Sequence, residues 1–269
     1  MSNVTAAHIT LAKEGDAAAL EHIVRAIQDR VYRLATRMLA DPDAAQDATQ
    51  EILIRVVTKL STYRGDSKFD TWVYRVATNY LLTARKVIAN DPGLTFPVFL
   101  DDLKDGLADE THAAPEDHVL LNDLRVRCTM AMLLCLDRDH RAAYVLGEIL
   151  ELDHSEAADI LDVSNANFRQ RLSRARKKVQ DFTASSCGLA GRSDVCSCPR
   201  RLGKAIETGR LGSAPTETLT DAPAYAQVKT WAHKTQSEII TAKLQRATGP
   251  LRPAKDFATD ILRIVDPPG

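Results

Sequence analysis

A chain of 269 residues that is 45% hydrophobic is long enough for one large or two to three small domains and has the apolar content of a soluble globular protein, so a real core is expected. Its formal net charge of -1 argues against a polycation that coats nucleic acid over its whole surface, and leaves local patches open. No apolar run approaches the ~18 residues of a membrane span, the start MSNVTAAHITLAKEGD lacks a signal-peptide layout, and an odd number of cysteines, five, speaks against a disulfide framework; a cytoplasmic protein is expected.

From Asp16 to Leu39, the residues Leu20, Ile23, Val24, Ile27, Val31, Leu34, Ala35 and Met38 recur at intervals of three and four, which predicts an amphipathic helix. The DPD that follows stops it and starts another, with Asp41 as N-cap and Pro42 at the first helical position. This second helix is expected to reach about Leu60 and to bury Ile52, Leu53, Val56, Val57 and Leu60, while its first turns carry Asp43, Asp47, Gln50 and Glu51. After the turn-forming Gly65 and Asp66, Ser67 and Asp70 read as an S-x-x-D capping box that opens a third helix, to about Lys86. The stretch DPGLTFPVFLDDLKDGLADETHAAPED holds three prolines, two glycines and many acids against a single lysine, the composition of a linker. Periodicity returns at Val119 and holds to about Phe182 in four expected helices. Beyond lie clustered cysteines, a Gly/Pro-rich stretch and helical patterns around Tyr225 to Thr248 and Lys255 to Val265. No strand-like alternation is sustained.

Within the Val119 to Phe182 section, LDHSEAADILDVSNANFRQRLSRARKKVQ divides into a short helix capped by Asp153, a turn at Asp162, Val163 and Ser164, and a longer helix capped by Ser164. Phe168, Leu172, Ala175 and Val179 share one face of the longer helix, and Arg169, Arg171, Arg174, Arg176, Lys177 and Lys178 crowd the remainder with no acid before Asp181. This is the layout of a helix-turn-helix with a basic recognition helix; a solubility face would need neither the caps nor the turn. Asn165, Asn167, Arg169 and Gln170 occupy its first turns, where base edges become reachable, and include the side chains able to make bidentate contacts with adenine or guanine. The later cations suit phosphate. Asp162 stands where most such motifs have Gly, and Asp tolerates positive φ.

The segment YRGDSKFDTWVYRVATN, from Tyr63 to Asn79, is unusually rich in rings. Phe69, Trp72, Val73, Val76, Ala77, Tyr80 and Leu81 recur as a core face, and the opposite face shows Tyr74, Arg75, Thr78 and Asn79, with Arg64 and Lys68 before it and Arg85 and Lys86 after. Rings interleaved with cations suit single-stranded nucleic acid; by spacing, a plain amphipathic helix serves as well.

A helix followed by DPDAAQDATQE and then YRGDSKFDTWVYRVATN strongly resembles region 2 of the extracytoplasmic-function (ECF) sigma factors of bacterial RNA polymerase. Leu136 to Val179 resembles their region 4, and the likeness covers about Gly15 to Phe182. It implies an all-α fold of two small helical domains: region 2 in 1–90, an acidic linker in 91–118, a region 4 helix-turn-helix in 119–183, and a helical, cysteine-containing extension in 184–269. It implies a sigma factor that binds core polymerase and directs promoter-specific initiation. By resemblance, Asp43, Asp47, Gln50 and Glu51 dock on the clamp helices of the β′ subunit. Arg64, Lys68, Tyr74, Arg75 and Asn79 recognise the non-template strand of the minus-ten element and hold an extruded base. Region 4 reads the duplex minus-thirty-five element with Asn165, Asn167, Arg169, Gln170, Arg171, Arg174, Arg176 and Lys177 and packs on the β flap. Such factors are often held by anti-sigma proteins. The competing reading is a stand-alone helix-turn-helix regulator, which would have no use for an aromatic strand-opening face. An enzyme is not expected: there is no Walker glycine loop, no HExxH and no placeable Ser, His and Asp arrangement.

The tail places Cys187, Cys196 and Cys198 in a C-x8-C-x-C cluster, whereas Cys128 and Cys135, seven apart, read as buried core. Three thiolates suit Zn²⁺ or Cu⁺, with His233 as a candidate fourth ligand. The alternative is a tail that packs on region 4 and binds nothing; the sigma function itself requires no cofactor.

Overall fold

The computed structural model describes residues 3–105, 107, 118–190, 195–211, 223–234, 237–248 and 251–265. Among them the chain is all-α, with fourteen α-helices, no strand, and one isolated bridge between Cys187 and Cys196. No helix among the described residues is long and apolar enough to cross a membrane. The chain forms two compact units: the first joins 1–90, 153–168 and 251–269, and the second joins 91–152 and 169–250.

The first unit is built on the antiparallel pair α2 (Ala17–Leu39) and α3 (Pro42–Thr58), preceded by α1 (Ala6–Lys13). Asp16 caps α2 by accepting from the Ala19 N–H at 2.7 Å. Asp41 caps α3 by accepting from the Ala44 N–H at 2.7 Å, as the sequence predicts. Between the helices Ala40 sits in the left-handed region at φ 52°, a strained position for a residue with a Cβ that the two packed helices hold in place. Ile23, Val24, Val31, Leu34, Ile52, Leu53 and Val56 are fully buried. The short α1 carries no strong period and was not legible; a reciprocal capping box between Thr5 and His8 starts it. α3 ends two residues early and gives way to a 3-10 turn at Leu60–Thr62.

The third expected helix is α4 (Phe69–Thr83), and a break at Ala84 separates it from α5 (Arg85–Ala89). The expected Ser67/Asp70 capping box is not made: Lys68 occupies the N-cap without a side-chain hydrogen bond. Asp70 instead pairs with Arg30 of α2 at 2.5 Å, a stronger attraction than a solvent-exposed cap provides. The rest of this unit consists of α9 (His154–Leu161), the first turn of α10 (Asn165–Ser186) and α14 (Phe257–Val265).

The second unit corrects the linker reading. α6 (Phe96–Lys104) forms inside that segment: Thr95 caps it, Pro97 lies in its first turn, and Phe99 and Leu103 are buried. The rings of Phe96 and Phe99 stand 5.0 and 5.6 Å from that of Phe182 in α10. Of its two acids Asp101 is exposed and Asp102 pairs with Arg201 at 3.0 Å, a partner that composition could not show. α7 (His118–Leu133) is followed by α8 (Arg138–Tyr144), which continues into a π turn at Val145–Ile149. The tail contributes α11 (Cys198–Glu207), α12 (Tyr225–Lys234) and α13 (Ser237–Arg246), all packed on α7. α11 was not expected; its apolar stripe of Leu202, Ala205 and Ile206 joins Leu121 and Leu124 in the core.

Candidate nucleic-acid interface

The loop between the 3-10 turn and α4 is shaped by its aromatic residues. Tyr63 packs against Phe69 and Trp72 with ring centroids 5.4 and 5.6 Å apart, and its hydroxyl donates to the Ser67 carbonyl at 2.7 Å. That bond closes a tight loop through Gly65, whose φ of +84° is one that residues with a Cβ rarely adopt. Arg64 and Lys68 project outward, exposed. Both line an open cleft of about 440 Å³ together with Tyr63, Phe69 and, from α1, Thr10 and Lys13. Lys13 Nζ donates to the Tyr63 carbonyl at 2.6 Å. No sequence pattern pointed to this lysine, because its partner lies 50 positions away.

Phe69, Val73, Ala77, Tyr80 and Leu81 are buried and Trp72 is half-buried, which agrees with the core reading. The opposite face is less open than expected. Thr78 is 1% exposed, and Tyr74 is half-buried beside Arg30, Arg33 and Arg37 of α2, with burial raising its hydroxyl pKa. Arg75 is exposed but donates to the Asp159 carbonyl of α9 at 3.0 Å, and Thr71 donates to Glu156 of the same helix at 2.5 Å. Asn79 is exposed. Arg64, Lys68 and Asn79 therefore stand free on the surface, whereas Tyr74 and Arg75 are engaged.

On α3, Asp43, Asp47 and Glu51 are exposed and Gln50 is half-buried, an acidic surface at a helix start where negative charge also matches the dipole. Lys86 pairs with Asp47 at 2.8 Å and holds its carboxyl below the usual range; both are exposed, so the pair adds little stability. Gln50 Oε1 accepts from Lys255 Nζ at 3.1 Å.

The helix-turn-helix follows its sequence reading closely. Asp153 accepts from the Ser155 N–H at 2.8 Å, and Ser164 accepts from the Asn167 N–H at 3.2 Å. Asp162 takes the left-handed conformation at φ 53°, as expected of the residue in the Gly position. Phe168, Leu172, Ala175 and Val179 are buried on α10. Asn165, Asn167, Arg169, Gln170, Arg174, Lys177 and Lys178 are exposed. Two of the expected contacts are drawn inward: Arg176 meets Glu148 at 2.6 Å, an acid that Arg246 also reaches at 3.4 Å, and Arg171 meets Asp139 at 3.4 Å. Lys177 pairs with Asp181 at 3.0 Å, exposed and one turn away.

The tail cysteines meet a thiol that the sequence reading had set aside as core. Cys128, Cys187 and Cys198 line one small cavity of about 20 Å³ with Met132 and Arg125, room for about one water molecule. Burial pushes the Cys128, Cys187 and Cys198 thiols above their ordinary value and Cys196 to about 11. Among the described residues no group of three or more His, Cys, Asp or Glu is placed to hold a metal ion. The side chain of His233 lies outside the described residues. A thiol whose pKa rises on folding stabilises the fold in its protonated form; that contribution is complete below the ordinary thiol pKa of about 8.5 and is lost as pH climbs above it. Cys128, Cys187 and Cys198 are half-buried, so iodoacetamide at pH 8 is expected to label them more slowly in the folded chain than in urea; equal rates with and without denaturant would contradict it.

Residues 23–87 match the family described as Sigma-70 region 2, and residues 127–179 match Sigma-70, region 4. The ECF RNA polymerase sigma factor SigW of Bacillus subtilis is 31% identical over 180 residues, which cover 62% of this chain and 90% of that protein. The ECF RNA polymerase sigma-E factor of Escherichia coli is 30% identical over 174 residues, covering 63% and 88%. Among solved structures, CnrH in complex with the cytosolic domain of CnrY aligns at 20% identity with a TM-score of 0.45, over 64% of this chain and 92% of that one.

Proposed function

The chain belongs to the ECF sigma factors and directs transcription initiation, and from that footing we propose how its parts divide the work. The acidic start of α3 docks on the polymerase β′ clamp helices. The cleft beside Arg64 and Lys68, with Asn79 on the neighbouring helix, takes single-stranded minus-ten DNA, whose bases stack on rings while phosphates are held by cations. The first turns of α10 read the minus-thirty-five element in the major groove through Asn165, Asn167, Arg169 and Gln170, and Arg174, Lys177 and Lys178 grip phosphate. Core polymerase, promoter DNA and an anti-sigma protein are the partners, the cytoplasm is the compartment, and the protein performs no catalysis of its own. The observation that carries this division is the exposure of free cations and amides at both places, on elements whose apolar faces are fully used in packing.

Run-off transcription with purified core enzyme tests it. Transcription from a cognate promoter is expected, with Arg169→Ala costing about 10- to 100-fold at the upstream element if a base contact is lost. A chain that shifts duplex DNA alone and never associates with core would instead be a stand-alone regulator. For Cys187, Cys196 and Cys198 we propose, separately, Zn²⁺ or Cu⁺ binding after the side chains rearrange. Near-stoichiometric metal, lost in the triple Ser variant, is the expected elemental analysis; metal-free protein prepared anaerobically would leave the thiols as packing.

A further inference from the structure

The last described helix of the tail does not join the other tail helices. Within the first compact unit α14 lies along α2 and α3, the pair whose second member carries the acidic docking residues. Phe257, Ala258 and Ile261, one stripe of α14, are fully buried there. Polar contacts set its register: the Phe257 N–H donates to Gln28 Oε1 at 3.0 Å, Asp256 pairs with Arg25 at 2.8 Å, and Lys255 Nζ reaches Gln50 Oε1 at 3.1 Å. Lys255 also contributes, after Lys86, to the positive field that keeps the Asp47 carboxyl low. Lys255 thus brings a second cation, beside Lys86, to the acidic helix start from within the chain.

We infer that α14, seated on the helix pair that carries the polymerase-docking residues and touching Gln50 through Lys255 while Asp43, Asp47 and Glu51 stay exposed, obstructs the approach of core polymerase to that face until α14 is displaced. This rests on the assignment of α3 as the docking helix proposed above. The physical basis is mass action: a tethered segment competes at an effective concentration near the millimolar range, and a face open only a small fraction of the time binds its partner more weakly by that fraction. A face that is free 1–10% of the time weakens apparent affinity by about 10- to 100-fold.

The test is equilibrium binding of the full chain to purified core polymerase, followed by fluorescence. Phe257→Asp places a charge in the buried stripe and is expected to tighten core binding at least about tenfold, with faster amide exchange on α2 and α3 reporting that α14 has left. A synthetic peptide spanning residues 251–269, added to the complex of core with the Phe257→Asp chain, is expected to displace that chain; this arm needs no folding of the peptide beforehand. A third arm, Asp47→Lys in the Phe257→Asp chain, is expected to weaken core binding. If exchange shows α14 released while core affinity is unchanged and the peptide does not compete, but Asp47→Lys still weakens binding, the masking inference is overturned and the docking assignment stands. If Asp47→Lys, together with Glu51→Lys, leaves core binding unaltered, the docking assignment fails and the inference falls with it.

Discussion

Phe168→Ala is expected to destabilise the first unit by about 3–5 kcal/mol, the range for truncating a fully buried aromatic ring, and to abolish recognition of the upstream promoter element. Phe168 is 0% exposed and lies in the first turn of α10, where its ring meets that of His154 at 5.6 Å. It fastens the recognition helix to the helix before the turn, so the cavity would release the geometry that holds Asn165, Asn167 and Arg169 together. Phe168→Leu keeps most of the volume and should cost less than about 1.5 kcal/mol with DNA binding retained. Urea titration monitored by circular dichroism, beside a promoter-fragment shift, separates the two variants. Equal and small losses for both would show that the ring does not organise the motif.

Arg141→Met is expected to cost a comparable ~3–5 kcal/mol, the usual result of deleting one partner of a buried charged pair. The Arg141 guanidinium, 2% exposed, donates to the carbonyls of Leu133, Leu134 and Leu136 at 3.1, 3.2 and 3.0 Å. It also pairs with Asp91 at 3.1 Å. One side chain thereby answers the Leu134 and Leu136 carbonyls where α7 ends and adds a second donor at the Leu133 carbonyl, which also accepts from the Leu136 N–H at 3.1 Å. It also anchors the start of the segment that leads to α6. Burial lowers the guanidinium pKa, with Asp91 opposing that shift, so the charge is retained because its partners are present. Methionine fills the space but takes the side-chain donor from the Leu134 and Leu136 carbonyls and leaves Asp91 with the Gly93 N–H and no cation. Asp91→Asn keeps an acceptor and should cost less. Chemical denaturation of the three proteins, with amide exchange at the junction of α7 and α8, checks the order; a Met variant within about 1 kcal/mol of wild type would mean that water replaces the guanidinium without loss.

What could be read in the residues alone was whatever depends on neighbours a few positions apart. The caps at Asp41, Asp153 and Ser164, the apolar stripes of α2, α3 and α10, and the positive φ of Asp162 all follow from spacing and side-chain chemistry within a turn or two. The two family segments were legible for the same reason, since each is a run of such local signals.

Only the tertiary structure decided where charged and apolar side chains found their distant partners. Asp70 left its cap for Arg30, 40 positions away, and Arg176 turned from solvent to Glu148 across 28. Cys128 met the tail cysteines, and Lys255 reached Gln50 across 205 positions. An ion pair or a buried stripe is stabilised by whatever packing brings alongside it, and sequence spacing carries no record of that proximity. Composition misread α6 because a helix needs only one apolar face: Phe99 and Leu103 were enough once α10 offered Phe182. The tail's final helix was legible as a helix, and its place on α2 and α3 was set by the surface there that could bury Phe257 and Ile261.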